Sequence, residues 1–200
     1  MVKVGYSYPI GDPTPPTNVS VNSTNVGPNT NVTLSWSGAG AGANNAISGY
    51  HIYRSTSASG TYSYLTAVTT TATSGSCTVT SPSDNSSYYY KVYTIGAAGY
   101  NSVASSSYAT LTTTYTAPNP PTSVLVNGAS SAYVAEGGTL TLSWSGASNG
   151  TNQAVLSYKV YVDGTLYIEG ITASSITVPS FGAGAHSWTI YSVGAYSTSS

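Results

Sequence analysis

The side chains best suited to catalysis are few and lie far apart along the chain. The 200 residues include two histidines, His51 and His186, and one cysteine, Cys77. None stands in the spacing of a nucleophile with its base, a zinc site or a phosphate-binding loop. The five carboxylates occur singly, so no pair predicts glycosidase chemistry. The sequence therefore predicts a protein that is not an enzyme, with no catalytic, cofactor-binding or metal-ligating residues.

The strand pattern assigns structural positions to two of these residues. His51 alternates with Tyr50 and Ile52, which predicts that its ring lies on a solvated strand face. Cys77 begins a strand and is expected to be a small, buried or half-buried residue. As the single cysteine, it has no partner for a disulfide within the chain.

Charge is scarce, and this excludes several classes of partner. Only 4% of the residues are charged and the net charge is −1, against roughly 25% charged residues in ordinary soluble domains. Without a basic patch, binding to nucleic acid is not expected. No apolar run has the length of a membrane span, and residues 1–13 lack the regions of a signal peptide. Together with abundant hydroxyl side chains, this favours a virion or extracellular location.

A repeated segment positions the rest of the chain. The stretch "NVTLSWSGAGAGANNAISGYHIYR" from Asn31 recurs from Thr139 as "TLTLSWSGASNGTNQAVLSYKVYV". In both copies apolar residues alternate with polar ones, which is typical of half-buried strands. Gly, Pro, Asn and Ser interrupt the chain about every eight to twelve residues, as in sandwiches and barrels. The pattern predicts seven strands in the first copy, and a two-residue Asp163-Gly164 hairpin turn in the second.

These motifs together resemble the fibronectin type III family. They comprise a tryptophan on the second strand, "YHIY" on the third, "YYYKV" on the sixth before a glycine turn, and proline-rich entries. The resemblance implies an all-β chain of two tandem seven-stranded immunoglobulin-like sandwiches. Trp36 and Trp144 would then be core residues, Tyr88 would donate a "tyrosine corner" hydrogen bond, and His186 would occupy the same position in the second copy.

The resemblance also gives the domain organisation and a function. It divides the chain into a strand-like extension at 1–13 and domains at 14–116 and 117–200. The sequence around "LSWSGA" is similar to fibronectin-like repeats in bacteriophage tail and other virion proteins. It implies a structural or adhesion protein whose partners are other proteins of the same assembly. The alternative is an accessory module of a secreted bacterial enzyme or surface protein that contacts cell-surface glycans.

Tyrosine is the one notable surface feature, with 19 residues. Strand alternation places Tyr53, Tyr89 and Tyr93 on an outward face in the first copy, and Tyr161 and Tyr191 in the second. Such a face could stack on sugar rings or meet a protein partner. Equally, cross-strand aromatic pairs could stabilise a sheet that has few ion pairs. The sequence leaves both interpretations open.

The pattern predicts that the second copy has an absent or shortened last strand. Module one continues from Tyr108 to Thr114, whereas only "AYSTSS" follows Gly194. Residues 1–8 align with that last strand at the offset that matches Pro15 to Pro120. They could be part of a longer array or a loose tail, or they could complete the second domain of another copy in a head-to-tail association.

Overall fold

The computed structural model describes residues 7–200, so residues 1–6 of the expected N-terminal extension lie outside the described part. Fourteen strands and no helix occur in residues 7–200, and therefore none of that range is a helix able to cross a membrane. The chain divides into two compact units, Met1–Thr114 and Tyr115–Ser200, a boundary two residues before the expected one.

The described part of unit 1, residues 7–114, is a sandwich of eight strands. They are β1 (Asn18–Val21), β2 (Asn25–Val26), β3 (Asn31–Ser37), β4 (Ile47–Ser55), β5 (Ser63–Val68), β6 (Gly75–Thr80), β7 (Ser87–Gly96) and β8 (Ala109–Thr113). One sheet has the order β1-β3-β6 and the other β2-β8-β7-β4-β5. All pairs are antiparallel except that of β2 with β8. The short β2 is the one strand here that the sequence pattern did not predict.

Unit 2 repeats the arrangement with six strands. They are β9 (Ser123–Val126), β10 (Thr139–Ser145), β11 (Ser157–Val162), β12 (Thr165–Ile171), β13 (Ser175–Pro179) and β14 (Trp188–Val193). The two sheets have the orders β13-β10-β9 and β12-β11-β14. After β14 the chain makes only an isolated bridge between Val193 and Thr198. The prediction of two tandem β-sandwiches, the second without its last strand, is confirmed.

Each core lies between two sheets and is built from alternate residues. In β3, Val32, Leu34 and Trp36 are buried while Asn31 and Thr33 are exposed. The Trp36 ring packs against Tyr50 of the opposite sheet at a centroid distance of 5.1 Å. In unit 2, Trp144 packs against Tyr158 at 5.3 Å. Burial of such large rings contributes much of the free energy of folding.

The β11–β12 hairpin has the two-residue turn expected from Asp163-Gly164. Val162 pairs with Thr165, and the two intervening residues have φ angles of 49° and 78°. Positive φ at both central positions defines the turn type that matches strand twist, and Asp-Gly is a favoured pair for it. This tight turn replaces the longer loop between β4 and β5.

Gly75 gives a direct test of how closely the core packs around Trp36. A Cβ at Gly75 would lie 2.6 Å from Cζ2 of Trp36. We expect Gly75→Val to lower the free energy of unfolding of unit 1 by about 1–3 kcal/mol, as overpacking does. The matched control is Ser174→Val, since Ser174 bonds the Trp144 backbone and already carries a Cβ. Equal losses in denaturant unfolding of the two variants would contradict this account.

Candidate functional site

The outer face of the larger sheet of unit 1 carries two groups of aromatic rings, one of four rings that contact one another and one around Tyr89 and Tyr108. Together they are here called the tyrosine face: His51, Tyr53, Tyr62, Tyr64, Tyr89, Tyr93 and Tyr108. Tyr53 on β4 lies 4.8 Å from Tyr93 on β7 and 5.7 Å from Tyr64 on β5. Tyr64 in turn meets the ring of His51 at 5.3 Å. The half-buried His51 thus lies on the outward strand face, in contact with a tyrosine.

The other end of the tyrosine face includes a lysine. The Lys91 ammonium lies 4.7 Å from the centroid of the Tyr62 ring, a cation–π distance. Tyr89 packs against Tyr108 at 5.5 Å. Burial, and then the neighbouring Tyr108 and Tyr89 hydroxyls, raise the pKa of Tyr62, whose hydroxyl donates to the Ala58 carbonyl at 3.1 Å. All three predicted tyrosines of unit 1 are therefore part of this face, and each contacts another ring.

The geometry of these rings determines what they can bind. The angle between ring planes is 83° for Tyr53 with Tyr64 and 71° for Tyr89 with Tyr108. In such edge-to-face pairs the edge of one ring covers the face of its neighbour. A sugar stacks on a free ring face, so this arrangement favours contacts between strands over a flat binding platform.

Unit 2 carries a smaller version of the tyrosine face. Tyr161 on β11 meets Tyr191 on β14 at 5.2 Å and 78°. The two rings border a cleft of about 240 Å³ that Thr189, Thr198 and Ser199 also line. This volume is below the usual range of small-molecule sites, roughly 300–1,000 Å³. The cleft offers hydroxyl groups beside aromatic rings, with no charged side chain among its lining residues.

The tyrosine-corner residue differs from the one expected. The hydroxyl of Tyr90, two positions after Tyr88, donates to the Thr80 carbonyl at 3.4 Å, and Tyr90 is fully buried. Burial raises the pKa of Tyr90 to about 12. Tyr88 lies partly buried against the core, with the Arg54 guanidinium 4.1 Å from its ring centroid. Both tyrosines point to the same side of the strand because they are two residues apart.

His186, which was expected at the tyrosine-corner position of unit 2, instead forms an ion pair. Its Nδ1 lies 2.7 Å from Asp163 Oδ2 and its Nε2 lies 3.0 Å from the Gly182 carbonyl. The other carboxylate oxygen of Asp163 accepts a bond from the Ser187 amide at 2.8 Å. Since both ring nitrogens face acceptors, the doubly protonated imidazolium is favoured. The pair links the β11–β12 turn to the segment before β14.

An aromatic cluster adjoins this pair. Phe181 packs against His186, Tyr167 and Trp188 at centroid distances of 5.8, 5.4 and 5.3 Å. Trp188 also packs against the core of unit 2. The cluster closes one end of the sandwich and contains no group placed to act as a nucleophile.

A buried amide in each unit was missed by the sequence analysis. The Asn45 side chain donates to the carbonyls of Gly11 and Tyr100 and accepts from the Ala98 amide. Gln153 donates to the Thr116 carbonyl and accepts from the Tyr196 amide. Both are nearly inaccessible, at 2% and 5% exposure. The signal was present, because the two occupy the same position in the repeated segment.

Cys77 is half-buried against the core of unit 1. Burial raises the pKa of its thiol, which disfavours the reactive thiolate. Across residues 7–200, no cluster of three or more His, Cys, Asp or Glu side chains could hold a metal ion.

The comparison with protein families bears on unit 1. Residues 14–112 match the family model of the fibronectin type III domain, which is just under half of the chain. Over these residues the first unit is similar to the fibronectin type III domain. No curated protein matches the chain. Fibronectin type III domains are generally non-catalytic binding or spacer modules. The family match confirms, for residues 14–112, the resemblance seen in the strand motifs.

Solved structures with fibronectin type III folds also resemble the chain. An Fn3-like protein from Clostridium thermocellum is 24% identical, with 51% of this chain and 94% of that chain covered and a TM-score of 0.38. The fibronectin(III)-like modules of Clostridium thermocellum CbhA are 15% identical, with coverages of 92% and 90% and a TM-score of 0.38. The fourth FNIII domain of a human protein is 18% identical, with coverages of 56% and 88% and a TM-score of 0.41.

The Asp163–His186 pair predicts a pH dependence in unit 2. The hydrogen bond to Asp163, and then that to Gly182, raise the pKa of His186 above 6.5. The His186 bond, and then the Ser187 amide, lower the pKa of Asp163 below 3.8. The histidine therefore stabilises the fold fully below its unfolded pKa, and this is lost as pH rises through its folded pKa. The aspartate contribution is present above its unfolded pKa and is lost as pH falls through its folded pKa.

We expect an NMR titration of the His186 ring to give a pKa above 6.5 in the native chain. Asp163→Asn should move that pKa downward, because asparagine tolerates the positive φ of the turn but carries no charge. Glu169→Gln is the control, since Glu169 pairs with Lys159 at 3.0 Å. A His186 titration that Asp163→Asn leaves unchanged would refute the coupling.

Proposed function

We propose that this chain is a non-catalytic spacer and adhesion element of a virion or other extracellular assembly, such as a phage tail, fibre or decoration component. The observation that carries the proposal is the tyrosine face. Its rings contact one another across β5, β4 and β7, so the most prominent surface feature of unit 1 is used to hold the sheet together.

The scarcity of ion pairs supports the same role. Two are found in residues 7–200: Lys159–Glu169 at 3.0 Å, and His186–Asp163 at 2.7 Å. Each pair joins a partly exposed cation to an exposed carboxylate, and salt screening weakens such pairs. Apolar burial and hydrogen bonds to hydroxyl and amide groups hold the rest of the structure. A fold of this kind keeps its stability across changes of ionic strength, as an extracellular particle must.

The partners that fit this surface are other structural proteins of the same assembly. Weakly charged surfaces give little electrostatic steering toward free ligands. They suit contacts that form by shape and hydrogen bonding during assembly.

Carbohydrate binding is the second candidate, and one observation favours it. The cleft beside Tyr161 and Tyr191 places two rings next to the hydroxyls of Thr189, Thr198 and Ser199. Aromatic rings beside hydrogen-bonding groups are suitable for sugars. In this case the chain would be an accessory module that contacts cell-surface glycans.

The double variant Tyr53→Ala/Tyr93→Ala distinguishes structure from binding. If the rings stabilise the sheet, this variant should lower the unfolding free energy of unit 1 by about 1–3 kcal/mol, since each aromatic pair contributes about 0.5–1.5 kcal/mol beyond burial. Thermal unfolding measures the loss. Tyr133→Ala is the control, because Tyr133 is fully exposed.

A glycan array completes the experiment. We expect no binding by the native chain. Glycan binding that Tyr161→Ala/Tyr191→Ala removes, without loss of stability, would favour the second candidate. Binding that depends on Tyr53 and Tyr93 would overturn the structural role of the tyrosine face.

A further inference from the structure

Among residues 7–200, the outer edge of β14 has no partner strand, whereas the corresponding edge of unit 1 pairs with β8. In unit 1, β8 pairs with β7 through Tyr90 opposite Ala109 and Tyr88 opposite Leu111. Trp188 corresponds to Tyr90, as both stand six residues before the glycine that ends the strand motif. Within residues 7–200, β14 pairs with β11 alone.

The backbone groups on that edge are oriented to accept a strand. In unit 1, Ser102 donates to the Thr94 carbonyl at 2.9 Å, and its hydroxyl accepts from the Thr94 amide at 2.8 Å. In unit 2, Ser199 makes the same two bonds to Ser192, at 2.8 and 2.9 Å. Alternate residues of a strand point their N–H and C=O groups to the same side. The corresponding groups of Ile190 and Trp188 therefore point toward the open edge.

The core of unit 2 is also incomplete on this side. Ala109 and Leu111 of β8 are buried in unit 1, and Tyr90 beside them is fully buried. Trp188 at the corresponding place is only partly buried. An added strand with inward apolar residues would cover it, while its backbone would pair with the edge. An unpaired edge is a ready template for such an addition.

One segment of the sequence has the pattern of the missing strand. The entries to the two units match at an offset of 105 residues, from Pro13 to Pro118 and from Pro16 to Pro121. They also make equivalent contacts: Thr14 donates to Gly40 at 2.9 Å and Asn119 to Ser148 at 2.9 Å. At the same offset, residues 1–8 fall on the β8 region. Val4 matches Ala109 and Tyr6 matches Leu111, with small or polar residues between them.

We propose that residues 1–8 of a second copy of this chain add to the open edge of β14 as an antiparallel strand. Val4 then lies opposite Trp188, and its N–H bonds the Trp188 carbonyl. Val4 and Tyr6 turn inward over the core of unit 2. The addition forms backbone hydrogen bonds, without any change in covalent structure.

The chain spacing favours a second copy as the donor. Eight residues lie between Val4 and Pro13, and eight lie between Ala109 and Pro118. Within the chain, the second of these segments leads from the last strand of one sandwich into the entry of the next. Donation between copies repeats that connection, with unit 2 of one copy followed by unit 1 of another. Such a contact is heterologous and continues from copy to copy.

The test measures the mass of the full 200-residue chain by sedimentation over a range of concentrations. We expect multiples of 20.3 kDa for the native chain, and a single species at the mass of one shortened chain after deletion of residues 1–6. Val4→Pro should also give the single species, because proline lacks the N–H that bonds Trp188. Lys3→Pro is the matched control and should still assemble, since the N–H at position 3 points away from β14.

Amide exchange at Trp188 reports the edge itself. We expect exchange to slow by at least about tenfold in the native assembly relative to the deletion variant. A synthetic peptide of residues 1–10, added to the deletion variant, should restore this protection, and the same peptide with Val4→Pro should not. Circular dichroism verifies that each variant keeps its strands.

Three results would overturn the proposal. They are a native chain that stays at 20.3 kDa at all concentrations, a deletion variant that assembles like the native chain, and equal effects of the two proline substitutions. If the native chain stays at the mass of one copy but the Trp188 amide still exchanges slowly, the first of these results applies. Residues 1–8 would then pair with β14 of their own chain. The proposed spacer role would stand in each case, because it depends on the tyrosine face and not on residues 1–8.

Discussion

In each sandwich, an indole ring of one sheet packs against a tyrosine ring of the other sheet. This contact determines how the two sheets pack together. Trp36 with Tyr50, and Trp144 with Tyr158, join the two sheets of their units. The indole of unit 1 leaves so little room that β6, the neighbouring strand of the same sheet, has glycine at position 75. The recurrence of "LSWSGA" follows from this constraint, because both units must present the same ring at the same place in the strand.

Hydrogen bonds from neutral polar side chains add to the stabilisation that the apolar cores provide. In a chain with 4% charged residues, buried backbone groups must find neutral partners. Asn45 and Gln153 are such partners at one end of each unit. Their side chains connect the proline-rich entry of the unit to the turn that follows β7 or β14. Gly96 and Gly194 follow from the same packing, since a Cβ at either would overlap the amide side chain. Serine hydroxyls also accept hydrogen bonds from backbone amides at strand edges: Ser105 from Val92, and Ser199 from Ser192.

Alternation in the sequence was enough to predict most of the strands, the sandwich class and the face on which most side chains lie. A period of two gives the face of a residue but does not distinguish two positions on the same face. For this reason Tyr88 was expected where the structure has Tyr90. The angles between tyrosine rings depend on side-chain rotamers, which the pattern does not encode. The repeat marks the position of Asn45, but its three backbone partners come from distant segments and are seen only in the structure.

The positions of the few cations have a consequence for proteolysis. Trypsin-like proteases cut after lysine and arginine, and three of the four such residues lie inside strands: Arg54 in β4, Lys91 in β7 and Lys159 in β11. A protease needs an extended, unpaired segment, and these strands pair on both sides. Cleavage at these sites requires the sheet to open, so the rate of digestion follows the opening of the sandwich and not the motion of its loops. A chain rich in exposed loops is thus protected by where its cleavable residues lie.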